Sequence, residues 1–163
     1  MRGKRKRGTP GRFILAAIVA GVLVLSGCVT VPEMDTPAGF ARFQNEDLPA
    51  AISPDGVVLR LRTTENDPPQ TLEFWAKALG RQMSDSGYVL VGEGSFDAPA
   101  GAGTFFEWLA PVGDEDWIYL TAICVTGEQI LIAEAAGRFD LYQLRRDSVI
   151  ASLSTLQAES EDG

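Results

Sequence analysis

The 163-residue sequence contains no histidine and only two cysteines, Cys28 and Cys124. Without imidazole, every His-based triad and every imidazole metal site is excluded. An internal disulfide would need both cysteines, and Cys28 has another use, set out below. Cys124 lies in an apolar run, as a small buried core residue does, with no cationic neighbour in sequence to activate its thiol. No apolar run reaches the ~20 residues of a membrane-spanning helix. Basic residues are scarce beyond position 27: eight remain against 22 acidic ones, a formal charge of −14 for residues 28–163. So acidic a surface repels nucleic acid and anionic headgroups, and fits solubility or a cationic partner.

What the chain does carry is concentrated first in Phe13–Cys28, FILAAIVAGVLVLSGC. Six basic residues (Arg2, Lys4, Arg5, Lys6, Arg7 and Arg12) precede thirteen apolar or small ones. A basic segment followed by an apolar stretch of this length is the pattern of a secretory signal. It ends not in Ala-x-Ala but in Leu25-Ser26-Gly27-Cys28, which resembles the lipobox of bacterial lipoproteins. The resemblance implies cleavage between Gly27 and Cys28 and acylation of the Cys28 sulfur. Cys28 would then be the lipidated N-terminus, with a membrane as its first partner. Small Ser26 and Gly27 let a peptidase approach the backbone. The residue after the cysteine is Val29 and not the aspartate that commonly signals inner-membrane retention. The resemblance thus implies a bacterial cell-envelope address, with the outer membrane favoured where the organism has one.

The expected organisation is a signal segment at 1–27, a lipidated cysteine and flexible tether at 28–39, a globular domain at 40–157 and an acidic tail at 158–163. Val29–Gly39 has two prolines, a glycine and no helical period. Fully extended it spans roughly 35 Å, at about 3.3 Å per residue. The 136 residues after position 27 suit one domain with a real core.

Within the domain, Phe40–Phe43 is a short strand candidate. Gly56–Thr63 has period two: Val57, Leu59 and Leu61 point one way, and Val58, Arg60 and Arg62 the other. Thr71–Ser86 is a helix, capped by Thr71 and stopped by Gly87, with Leu72, Trp75, Leu79 and Met83 as its buried stripe. Tyr88–Phe96 is a strand and Asp97–Gly103 a loop. The Gly-x-Gly spacings here lack the lysine and following helix of a phosphate cradle. Thr104–Pro111 is a strand and Val112–Asp116 a hairpin turn, whose adjacent carboxylates lack the alternating spacing of a calcium loop. Trp117–Val125 and Glu128–Ala136 are strands around the tight turn Thr126-Gly127. Both are almost continuously apolar, so both faces of this part of the sheet must be covered. Phe139–Leu156 is the second helix, with Tyr142, Val149, Ile150, Leu153 and Leu156 in one sector.

Successive hairpins imply antiparallel pairing. The expected fold is α+β: a three-layer α/β/α sandwich around a mostly antiparallel sheet of about six strands, with two main helices. This order resembles the PsbP-like superfamily, which includes Mog-type and DcrB-type proteins. The residues carrying the likeness are Phe40-Ala41-Arg42-Phe43, Gly56–Thr63, Phe74-Trp75, Gly87-Tyr88, the hairpin Trp117–Val125 with Glu128–Arg138, and Ile150-Ala151-Ser152-Leu153. The resemblance implies an accessory or binding protein and not an enzyme, and it brings no functional residue with it.

The expected function is therefore a membrane-anchored envelope lipoprotein acting as a non-catalytic accessory or protein-binding module. It would need no cofactor, and would have an envelope protein as partner. Candidate interaction surfaces are the acidic turn Asp114, Glu115 and Asp116, and the Arg60/Arg62 strand face. Two alternatives stand beside it: a carrier of a small apolar ligand between sheet and helix, and a hydrolase using two carboxylates, for which no motif is present. Cys28→Ser should abolish both lipid incorporation and processing. Metabolic labelling with a fatty acid checks this, and a cleaved, labelled mutant would refute it.

Overall fold

Trp117–Val125 and Glu128–Ala136 form the middle of a seven-stranded antiparallel sheet. The computed structural model describes residues 30–43, 51–112 and 114–160. The signal segment 1–27, with Gly27 at its end, and Cys28 after it lie outside them. In chain order the strands are β1 (Thr30–Glu33), β2 (Ala41–Arg42), β3 (Ala51–Ile52) and β4 (Val58–Glu65). After helix α1 (Leu72–Asp85) come β5 (Val89–Ala98), β6 (Gly101–Val112), β7 (Glu115–Thr126) and β8 (Gln129–Arg138). Helix α2 (Phe139–Leu153) and β9 (Gln157–Ser160) finish the chain. The large sheet has the order β2-β3-β4-β8-β7-β6-β5, and β1 pairs with β9 alone.

Pleat and register sort the side chains into two cores. One face carries Leu59, Phe105, Leu120, Ala122, Cys124, Leu131 and Ala133, packed against Tyr142, Val149 and Leu153 of α2. The other carries Phe106, Trp108, Ile123, Ile130 and Ile132, packed against Leu72, Trp75, Leu79 and Met83 of α1. The three-layer sandwich and the two helices are as the apolar runs require. Cys124 is fully buried, and burial pushes its thiol pKa up.

Helix α1 starts where Thr71 Oγ1 accepts the Phe74 N–H at 3.3 Å, and it ends at Gly87, whose φ of +86° only glycine adopts without strain. A buried asparagine secures its approach. The Asn66 side chain accepts from Trp75 Nε1 (2.6 Å) and the Gln70 N–H (2.9 Å), and donates to the carbonyls of Gln70 and Gly127. It thereby locks the β4–α1 connection onto the β7–β8 turn.

Three expectations need correction. Thr30–Glu33 is not free tether: it pairs in register with Gln157–Ser160, which removes part of the expected tail as well. Met34 is 6% exposed, and the Asp35 N–H donates to Thr155 Oγ1 at 2.9 Å. Pro32 is tolerated because both members of a two-stranded ribbon are edges. Asp97–Gly103 is not a loop either: Asp97 pairs with Ala102 and Ala98 with Gly101, leaving a turn at Pro99-Ala100. Small residues on both faces give no alternation for a pattern to show. The strand count is seven plus two, because two-residue strands such as β2 and β3 have no period to detect.

Leu120 is fully buried in β7, whereas Leu144 of α2 is 71% exposed. Leu120→Ala should cost about 2–5 kcal/mol, and Leu144→Ala less than about 0.5 kcal/mol. Urea unfolding distinguishes them, and equal losses would contradict the layer assignment.

A candidate ligand-binding cleft between β5 and α2

Strand β6 is apolar on both faces except at Thr104, whose hydroxyl bonds the Gly94 carbonyl, and at Glu107. Glu107 points to the α2 side between Phe105 and Leu109, and is 4% exposed. A buried carboxylate is costly unless it is paired and hydrogen-bonded. Helix α2 supplies both. Arg146 engages it as a fork, Nε to Oε1 at 2.9 Å and Nη2 to Oε2 at 2.8 Å, and the Tyr142 hydroxyl donates to Oε1 at 2.8 Å. The hydrogen bond to Glu107, ahead of the opposing effect of burial, raises the Arg146 pKa. Burial first, and then Glu107, raises that of the Tyr142 phenol.

The facing strand is shaped to admit this group. At Gly92 a Cβ would collide with Glu107 Oε2, so only glycine leaves room for the carboxylate. The β5–β6 register shifts between Leu90 and Gly92, a bulge that turns the strand beside the ion pair. Val91 and Gly92 then form one wall of an open cleft of about 440 Å³. Phe139 and Gln143 of α2 form the other wall, with Ile118, Glu107 and Arg146 lining it beneath. The mouth is apolar: Val91 is 53% and Phe139 46% exposed. Apolar walls around a few convergent polar groups are the usual makeup of a binding site.

The residues singled out from sequence lie elsewhere. Arg60 and Arg62 project on the α1 side of the sheet. Arg62 bonds Glu134 through Nε (3.2 Å) and Nη2 (2.9 Å), which raises the arginine's pKa. Burial pushes the Glu134 carboxyl up, but hydrogen bonds from Arg62 and Tyr119 and the arginine charges outweigh it, holding the group below its ordinary range. Arg60, with Val58, Tyr119, Glu134 and Ala136, lines a smaller groove of about 210 Å³. The acidic turn stands apart. Asp116 is five residues along β7 from Thr121, the position level with Arg60, or about 17 Å, and two strands across. Glu115 and Asp116 are not in the turn expected over Val112–Asp116: they lie on β7, paired with Val112 and Pro111 of β6, and Glu115 lies 3.4 Å from Arg138. Among the described residues no three histidine, cysteine or carboxylate groups are placed to hold a metal ion, and no helix is long and apolar enough to cross a membrane.

No protein-family model and no curated protein matches the sequence. Solved structures do. One is LpqN, involved in cell envelope biogenesis of Mycobacterium tuberculosis, at TM-score 0.54 and 10% identity, covering 80% of this chain and 84% of that one. Another is the cyanobacterial PsbP protein CyanoP from Synechocystis, at TM-score 0.50 and 10% identity, covering 83% and 99%. The fold is PsbP-like. At this identity the likeness is one of architecture, and no residue of the cleft described above is assigned through it.

The cleft was missed in the sequence because each part has an ordinary explanation alone. The combined signal is a glutamate inside FFEWL, two arginines in the covering helix, and Gly-Glu-Gly in the facing strand. Arg146→Met strands Glu107 without a counter-charge and should cost about 3–5 kcal/mol. Glu107→Gln should cost less, about 1–2 kcal/mol, because the amide still accepts and Arg146, at 36% side-chain exposure, can reach water. Urea midpoints test the order, and its reversal would show that the pair is not held as described.

Proposed function

We propose that the chain is a lipid-anchored protein of the bacterial cell envelope, held to its membrane through Cys28 and acting as a non-catalytic accessory or protein-binding module. The observation that carries the binding reading is the β5–α2 cleft, where an apolar mouth opens over a polar floor whose charges are already mutually satisfied. Both Glu107 oxygens are committed to Arg146 and Tyr142, which favours holding a partner over abstracting a proton. The envelope address is supported by the Leu25–Cys28 motif and by the shared fold of LpqN, itself described as involved in cell envelope biogenesis. The Arg60/Arg62 face and the Asp114–Asp116 turn are secondary surfaces in this reading.

A second reading, a carrier of a small apolar ligand, is favoured by the cleft's volume of about 440 Å³, within the span of small-molecule sites. Photo-crosslinkers placed in living cells at Phe139 and at Arg60 separate the alternatives. A protein adduct at Phe139 that disappears with Cys28→Ser supports the anchored binding module. An adduct at Arg60 alone moves the site to the other face. No protein adduct at either, with a lipid co-purifying in native mass spectrometry, favours the carrier.

A further inference from the structure

The two edges of the large sheet are built differently. At one end β2 is two residues long and carries Arg42, a short charged edge of the kind that resists pairing. At the other, β5 runs for ten residues from Val89 to Ala98 and, among the described residues, pairs only with β6. It contains no proline, lysine or arginine. Val89, Leu90 and Val91 are 56%, 44% and 53% exposed. Beyond the bulge, the register with β6 is continuous from Gly92 to Ala98. Those seven residues therefore present a regular row of outward backbone groups.

The two sides of that edge differ in chemistry. On the α2 side Gly92 and Gly94 have no side chains, and the cleft opens between Val91 and Phe139. On the α1 side stand Glu93 and Asp97, both exposed and neither ion-paired among the described residues. We propose that β5 receives an eighth strand: an extended segment of a partner protein in which apolar and basic residues alternate. Its backbone continues the ladder along Gly92–Ala98. Its apolar side chains enter the α2-side cleft, and its basic ones meet Glu93 and Asp97. Strand addition of this kind takes affinity from main-chain hydrogen bonds and specificity from alternate side chains. A second copy of this chain is the wrong occupant. Antiparallel self-pairing centred on Ser95 sets Glu93 against Asp97 across the interface, and like charges directly opposite are unfavourable.

This deepens the binding-module reading and rests on it only in taking the partner to be a protein. The test uses the full chain in detergent micelles and labelled octapeptides of alternating valine and lysine. The controls are valine–glutamate peptides and valine–lysine peptides N-methylated on either alternate set of residues. The valine–lysine peptide should bind and protect the Gly92–Ala98 amides from hydrogen exchange. One N-methylated set should bind and the other fail, since only one set of N–H groups faces β5. The double variant Glu93→Lys/Asp97→Lys should weaken binding about tenfold and reverse the preference toward glutamate. Equal binding of both methylated peptides, indifference to charge, or no binding overturns the proposal. So does a dimer whose β5 amides are protected without peptide. A Phe139 crosslink in cells together with failure here would keep the binding module and discard strand addition.

Discussion

The fold depends on the absence of a polar face on its two central strands. β7 and β8 place Ile118, Leu120, Ala122, Cys124, Leu131, Ala133 and Ala135 toward one helix, and Ile123, Ile130 and Ile132 toward the other. Burying one such large side chain contributes about 1.5–3 kcal/mol, and backbone ordering costs about 1–2 kcal/mol per residue. A sheet covered on one side only would forfeit half of the favourable term with the entropy cost unchanged. Both helices are therefore required, and short hairpins are what leave the long connections free to reach opposite faces.

Against that apolar background Glu107 is an exception with a cost. The four hydrogen bonds it accepts compensate desolvation without making the site a strong source of stability. What they do fix is register. Arg146 and Tyr142 lie one helical turn apart, so α2 can satisfy the carboxylate in one rotation and one translation only. The glycine at 92 and the adjacent bulge are the matching concession from β5. Several local rules are broken together in this corner: a charge in a core strand, a Gly-x-Gly inside a strand, an arginine on the inner side of a helix. The other buried strand carboxylate, Glu134 on the opposite face, is likewise held by an arginine.

The same physics decides what a reader of the sequence can see. Leu72, Trp75, Leu79 and Met83 declare α1 by their spacing, and the continuous runs of β7 and β8 declare two covered faces. Leu59 and Arg60 declare the alternation of β4. What stays hidden depends on partners distant in sequence. Glu107 and Arg146 are 39 residues apart and meet only through the sheet. Asn66 bonds a carbonyl 61 residues away. β1 has no period and two prolines nearby, and is a strand only because β9 lies alongside it. The arginines of β4 were visible as exposed, but exposure alone did not reveal that Arg62 is held by Glu134.

The β1–β9 ribbon changes the mechanics of attachment. If Cys28 carries the proposed lipid, one residue would separate the anchor from Thr30, the first paired residue described, a reach of about 7 Å at most. The prolines and glycine of the following segment, which would permit swivelling in a free chain, are pinned by Met34 and by the Asp35–Thr155 bond. The domain would then stand on a short double-stranded post and not at the end of a long string. On that proposal its stance relative to the bilayer would be restricted, with Gln157–Ser160 sharing the footing of Thr30–Glu33. A docked partner would meet β5 at a nearly constant height and tilt.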